Sequence, residues 1–144
     1  MASRREEVLN AVKALIAAAL PGAKVERNAA KPERIPSGGL VIIRDGDPGD
    51  PEVTLSPLTY IYTHPIPVEI AILASDVLTR EQALDATLME IGEAVEADRT
   101  LGGLCDFIEP EAPSTGDLEA TATVAGRWAD AVIVATYATS NPLT

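Results

Sequence analysis

One cysteine and one histidine are all that this chain holds of either residue. Cys105 therefore has no partner for an internal disulfide, and His64 with Cys105 cannot supply the ligand set of a zinc site. Aromatic residues make up only 3% of the chain, which leaves few platforms on which nucleobases could stack. No apolar run reaches the ~18 residues needed to span a bilayer, so no membrane partner is expected. The start Met1-Ala2-Ser3-Arg4-Arg5 leads straight into charged residues, without the apolar core of a secretion signal. The expectation is a soluble chain that stays in the cytoplasm where it is made. Basic residues are also scarce, 11 against 22 acidic ones for a net charge of −11, and this argues against tight DNA binding.

Catalytic signatures are missing as well. There is no dinucleotide, Walker or G-x-S-x-G pattern, and the Gly38-Gly39 pair fits no phosphate-binding motif. Cys105 with His64 is the one conceivable nucleophile and base, and no neighbouring residue orients the imidazole or lowers the thiol pKa. The reading is a protein that is not an enzyme and carries no cofactor.

The charges that are present are polarised along the chain. Residues 1–44 carry eight basic groups against four glutamates, about +4, and residues 45–144 carry three against eighteen acids, about −15. A length of 144 residues suits one domain able to bury about two-thirds of its unfolded surface.

The strongest local signal is the stretch Thr79 to Leu104. Thr79 with Gln82 reads as a capping box, and Leu84, Leu88, Ile91 and Val95 recur on one helical face, with Glu81, Asp85, Glu90, Glu93 and Glu96 over the rest. Gly102 or Gly103 is expected to supply the left-handed residue that stops the helix. Ser3-Arg4-Arg5-Glu6 is a second capping-box pattern, followed by Val8, Leu9, Val12, Leu15, Ile16, Ala19 and Leu20 until Pro21-Gly22. Lys24 to Asn28 reads as a short strand and residues 29–39 as an irregular loop. Leu40 to Arg44 and Glu52 to Leu55 read as the arms of a hairpin whose extended tip is residues 45–51.

That tip carries Asp45, Asp47 and Asp50, an echo of a calcium loop. The positions that an EF-hand reserves for aspartate or asparagine, glycine and a bidentate glutamate hold Gly49, Asp50 and Ser56 instead, so a solvated turn is the stronger reading. Tyr60 to Ala74 reads as a long core strand. Pro65 and Pro67, two apart, remove amides from the same edge and mark the segment as unpaired on one side or as a break. His64, beside these prolines, reads as a surface or interface residue. Cys105 to Glu109 is a strand candidate, residues 110–117 a turn-rich loop, Leu118 to Val124 a further strand, and Ala129 to Tyr137 a central strand apolar on both faces. The tail from Ala138 to Thr144 is expected to fray or meet a partner. Together these elements describe an α+β single domain with a mixed, mostly antiparallel sheet and two main helices.

A helix ending in Asp98-Arg99-Thr100-Leu101-Gly102-Gly103-Leu104, then a strand and a late Tyr137-Ala138-Thr139, resembles the tail terminator proteins of long-tailed bacteriophages and gene transfer agents. The resemblance implies a sheet flanked by helices. It also implies a homo-oligomer, a hexameric ring that caps the tail tube in the virion, ends its polymerisation and joins it to the head. Tail tube protein and a head-tail connector or stopper protein would then be its partners, with DNA passing transiently through the ring. Interface or channel candidates are Asp45, Asp47, Asp50, Asp98, Arg99, Leu101, Tyr137 and Thr139. Another neck or head-completion protein is the nearest alternative; a small acyl-transfer enzyme or ligand-binding domain is a remoter one.

Overall fold

The computed structural model describes residues 1–31, 34–117 and 126–144. Its spine is an antiparallel pair of long strands, β4 (Thr59–Leu73) and β7 (Gly126–Thr139), in unbroken register from Tyr60 opposite Thr139 to Leu73 opposite Gly126. Around it lie β1 (Lys24–Arg27), β2 (Leu40–Ile43), β3 (Glu52–Thr54), β5 (Phe107–Pro110) and β6 (Ser114–Asp117). The order across the sheet is β1-β2-β4-β7-β5, with β3 also on β4 and β6 also on β7. β1 and β2 run parallel and every other pair is antiparallel, so the sheet is mixed, as expected.

Period-two alternation gives the sheet two unequal faces. Tyr62, Ile66, Val68 and Ile70 of β4 and Ala129, Ile133, Ala135 and Tyr137 of β7 form the main core with two helices. Helix α1 (Arg4–Ala19) adds Val8, Leu9, Val12 and Ile16, and α2 (Arg80–Ala97) adds Leu84, Ile91 and Val95, with Leu88 half-buried. Each such side chain taken from water contributes about 1.5–3 kcal/mol before chain entropy is counted. The opposite face has a smaller cluster, Leu40, Ile42 and Ala71, against which Ala29, Ile35 and Trp128 pack. There the ammonium of Lys31 lies 4.4 Å above the Trp128 ring.

Thr79 makes the expected reciprocal capping box with Gln82. Ser3 makes half of one: its Oγ accepts from the Glu6 amide, but the Glu6 carboxylate turns away to Arg27. Helix α2 stops at Asp98, whose non-helical backbone (φ −149°, ψ 73°) ends the spiral before either glycine. Leu101, Gly102 and Gly103 do adopt left-handed conformations, but in the turn beyond the helix. For Leu101 that conformation costs roughly 1–2 kcal/mol, and burial of its side chain offsets it.

The expected hairpin does not form. β2 and β3 both pair with β4, at Val68–Ala71 and at Thr59–Ile61, and residues 44–51 are a linker that runs along the β4 edge between them. The prolines explain the gap. The Pro67 carbonyl accepts from the Arg44 amide, so Pro67, and Pro65 two residues before it, turn their missing N–H groups toward this edge and away from β7. The segment is thus unpaired by strands on one side while remaining interior to the sheet. The real hairpin is β3–β4, turning through Leu55 to Leu58.

Near the β7 edge, β5 begins at Phe107 rather than at Cys105, because the Cys105 amide is taken by the Thr100 carbonyl in the turn. Within the expected loop 110–117, Ser114–Asp117 forms a strand against Arg127–Asp130, fixed by Arg127 donating to Asp117 and Thr115. The strand read at Leu118 to Val124 lies outside the described residues. The tail is anchored: Thr139 ends β7, and the Thr144 carbonyl accepts from the Arg4 amide.

Candidate functional site

Of the three segments that carry the eight candidate residues, the linker and the β7 terminus line one cleft, while the α2 exit, with Asp98, Arg99 and Leu101, lies against β5. The linker is held in place by three devices. Its second residue, Asp45, accepts from Arg27 Nε at 2.8 Å and from Asn28 Nδ2 at 2.9 Å, and Arg27 also grips Glu6 at the start of α1. Arg27 holds the carboxyls of Asp45 and Glu6 below their usual range, against the opposing pull of burial. The second device is His64. Its Nε2 lies 2.6 Å from the Asp45 carbonyl, which can only accept, so Nε2 carries the proton; Nδ1, 2.9 Å from the Tyr137 hydroxyl, is then the acceptor. The third is Gly46, in a left-handed conformation (φ 65°) so close to Pro65 that an added Cβ would lie 2.2 Å from the Pro65 carbonyl oxygen.

His64 is therefore fully buried, where a surface or interface position was expected. Burial holds its pKa below 6.5 and pushes the Tyr137 hydroxyl up to about 12, so a neutral imidazole faces a protonated phenol. Tyr62 and Tyr137 stack tilted with ring centroids 5.9 Å apart beneath the same linker. Cys105, also buried, has its thiol pushed up to about 11 by desolvation. An imidazole with both nitrogens engaged and a thiol held neutral lack the activation that nucleophilic catalysis requires.

Of the candidates, Leu101 and Tyr137 are buried, 6% and 1% exposed, and Asp45, its side chain 45% exposed, is taken up by Arg27 and Asn28. Asp47 accepts from the Gly49 amide at 2.8 Å while remaining exposed, and Asp50 is exposed. Two of the three tip carboxylates are thus committed to protein donors, and among the described residues no group of three potential metal ligands converges. Asp98 accepts from the Gly102 amide at 3.0 Å. Arg99 donates to the Ile108 carbonyl at 3.2 Å and lies over the Phe107 ring. Thr139 donates to the Asn141 carbonyl.

Pro48 and Gly49 of the linker, Tyr62, Tyr137 and Thr139 line the cleft, which measures about 120 Å³ and has the exposed Arg5 at its mouth. The clamp residues Glu6, Arg27 and Asn28 had no local signal in the sequence, since Arg27 and Asp45 are 18 residues apart and Arg27 and Glu6 are 21. Comparison with protein-family models and with curated proteins yields no match to this chain.

Proposed function

We propose that this chain is a structural protein of the phage tail, a tail terminator whose copies close into a ring on the finished tube and join it to the neck. The observation that carries this reading is the opposed character of the two lateral ends of the sheet. At one end α1 packs on β1, both drawn from the basic first 44 residues. At the other α2 packs on β5, both drawn from the acidic remainder. A closed cyclic assembly needs two different, mutually complementary patches on each subunit, and opposite charge at opposite ends meets that requirement. The firmly clamped linker supports the reading too, since it presents Asp47 and Asp50 as exposed carboxylates at a fixed place. Repeated by symmetry, such groups form a ring of negative charge past which DNA slides without adhering.

The test is arrest of tube growth. Tail tube protein polymerising in vitro should stop elongating when this chain is added at about one ring per tube. Tubes that lengthen at an unchanged rate in its presence contradict the reading.

A further inference from the structure

Two apolar features sit on opposite lateral edges of the sheet, and among the described residues each leaves apolar surface open. One is the β3–β4 turn, which projects Val53, Leu55 and Leu58 with 49%, 77% and 46% of their surfaces exposed. The other is a slot of about 160 Å³ under α2, opening where the edge strand breaks between β5 and β6. Leu88, Ile91, Gly92, Pro110, Pro113 and Ile133 line it, almost without polar surface. A cavity of about 150 Å³ lined by aliphatic and aromatic side chains takes up a benzene-sized guest, so this slot suits one branched aliphatic side chain.

Charge gives the pair its direction. Glu111 lines the slot, and Asp85, Met89 and Glu96 flank it, being three or four residues from Leu88 or Gly92 on the same side of α2. Asp85, Glu96 and Glu111 are exposed and form no ion pair among the described residues. Beside the β3–β4 turn lies Arg4, which pairs loosely with Glu7 at 3.7 Å and shares a groove with Pro57, Leu58 and Thr59, and the exposed Arg5 follows it. An apolar knob with basic neighbours and an apolar hole with an acidic rim, on opposite edges of one chain, are complementary to each other.

We propose that the occupant of the slot is a second copy of this chain: Leu55 of one subunit inserts under α2 of the next, with Arg4 and Arg5 meeting the acidic rim. The contact rests on the ring reading above for its biological use, and it deepens that reading by naming the subunit interface. It is heterologous, so it propagates around a ring instead of closing on itself as a dimer.

The experiment uses two variants that block opposite sides of one contact. Leu55→Asp changes an exposed side chain and leaves the fold untouched. Gly92→Phe fills the slot from within α2, where an added Cβ meets nothing within 4 Å. Each variant alone should self-associate at least about tenfold more weakly than the wild type in sedimentation, the least expected from losing one buried leucine. Mixed one to one, they should recover a single competent interface and stop at a heterodimer. Circular dichroism and melting temperature check that both remain folded.

Assembly of both folded variants like the wild type overturns the contact and leaves the tail-terminator reading standing. Loss of assembly in both, with wild-type rings that leave tubes uncapped, supports the contact and sinks the reading. A wild-type chain that stays monomeric at millimolar concentration overturns the contact, and tube arrest alone then decides the reading.

Discussion

His64 joins parts of the chain that lie 19 and 73 residues away, Asp45 and Tyr137, and it does so as a neutral ring. Because burial lowers its pKa in the folded protein, the unfolded chain binds a proton first as pH falls below 6.5. The stability that the neutral ring contributes is complete above that value and drains away toward its lowered folded value, by up to about 1.4 kcal/mol per pH unit. It is the only histidine, so this window isolates it. Urea midpoints between about pH 8 and pH 5 should fall for the wild type and stay nearly level for His64→Gln. An equally steep decline in the variant would place the titration elsewhere. Neighbouring residues could not have announced this role. Next to Pro65 and Pro67 the histidine reads as surface, and only the arrival of the linker and of β7 over it makes it core.

The elements divide by the range of the forces that define them. Both helices were legible because their caps and apolar stripes repeat every three or four residues, within the reach of sequence neighbours. Of the long strands, β4 was legible from alternation at a period of two and β7 as a run apolar on both faces. Strand partners were not, since β2 and β3 both find β4 instead of each other, and the choice is made by the length of β4 and by two missing amides in its middle. Nor could the clamp of Arg27 on Asp45 be anticipated, being a contact between strand ends that adjoin only after β1 and β2 pair. The linker that results depends on Gly46 for its close approach to Pro65. Gly46→Ala should destabilise the protein by more than about 1 kcal/mol, read from thermal or urea unfolding, because the methyl group meets backbone in a conformation that disfavours side chains. An unchanged midpoint would mean that the linker shifts freely and is not anchored at Gly46.

At the scale of the whole molecule, the charge gradient of the sequence becomes a difference between the two lateral ends. Exposed ion pairs contribute only about 0.2–1 kcal/mol each, but a ring repeats the same interface at every junction. Ring stability should therefore fall as salt rises through the range in which surface charges are screened, measurable by mass photometry or sedimentation. Assembly independent of salt would leave apolar contact alone as its cause. The lumen makes a separate prediction. Asp45 belongs to the clamp, so the informative variant changes Asp47 and Asp50 to lysine. If these two line the path, rings of that variant should retain duplex DNA at low salt and release it steeply as salt increases, whereas wild-type rings retain none. Tight DNA binding by the wild-type ring would contradict a repulsive channel.

The central claim, that copies of this chain close into a ring on the end of a tail tube, is tested most directly by electron microscopy of the purified protein mixed with tail tubes. The account predicts a ring with an open centre seated at one end of each tube and absent from the other. Tubes with both ends bare, beside protein that forms no rings, would contradict it.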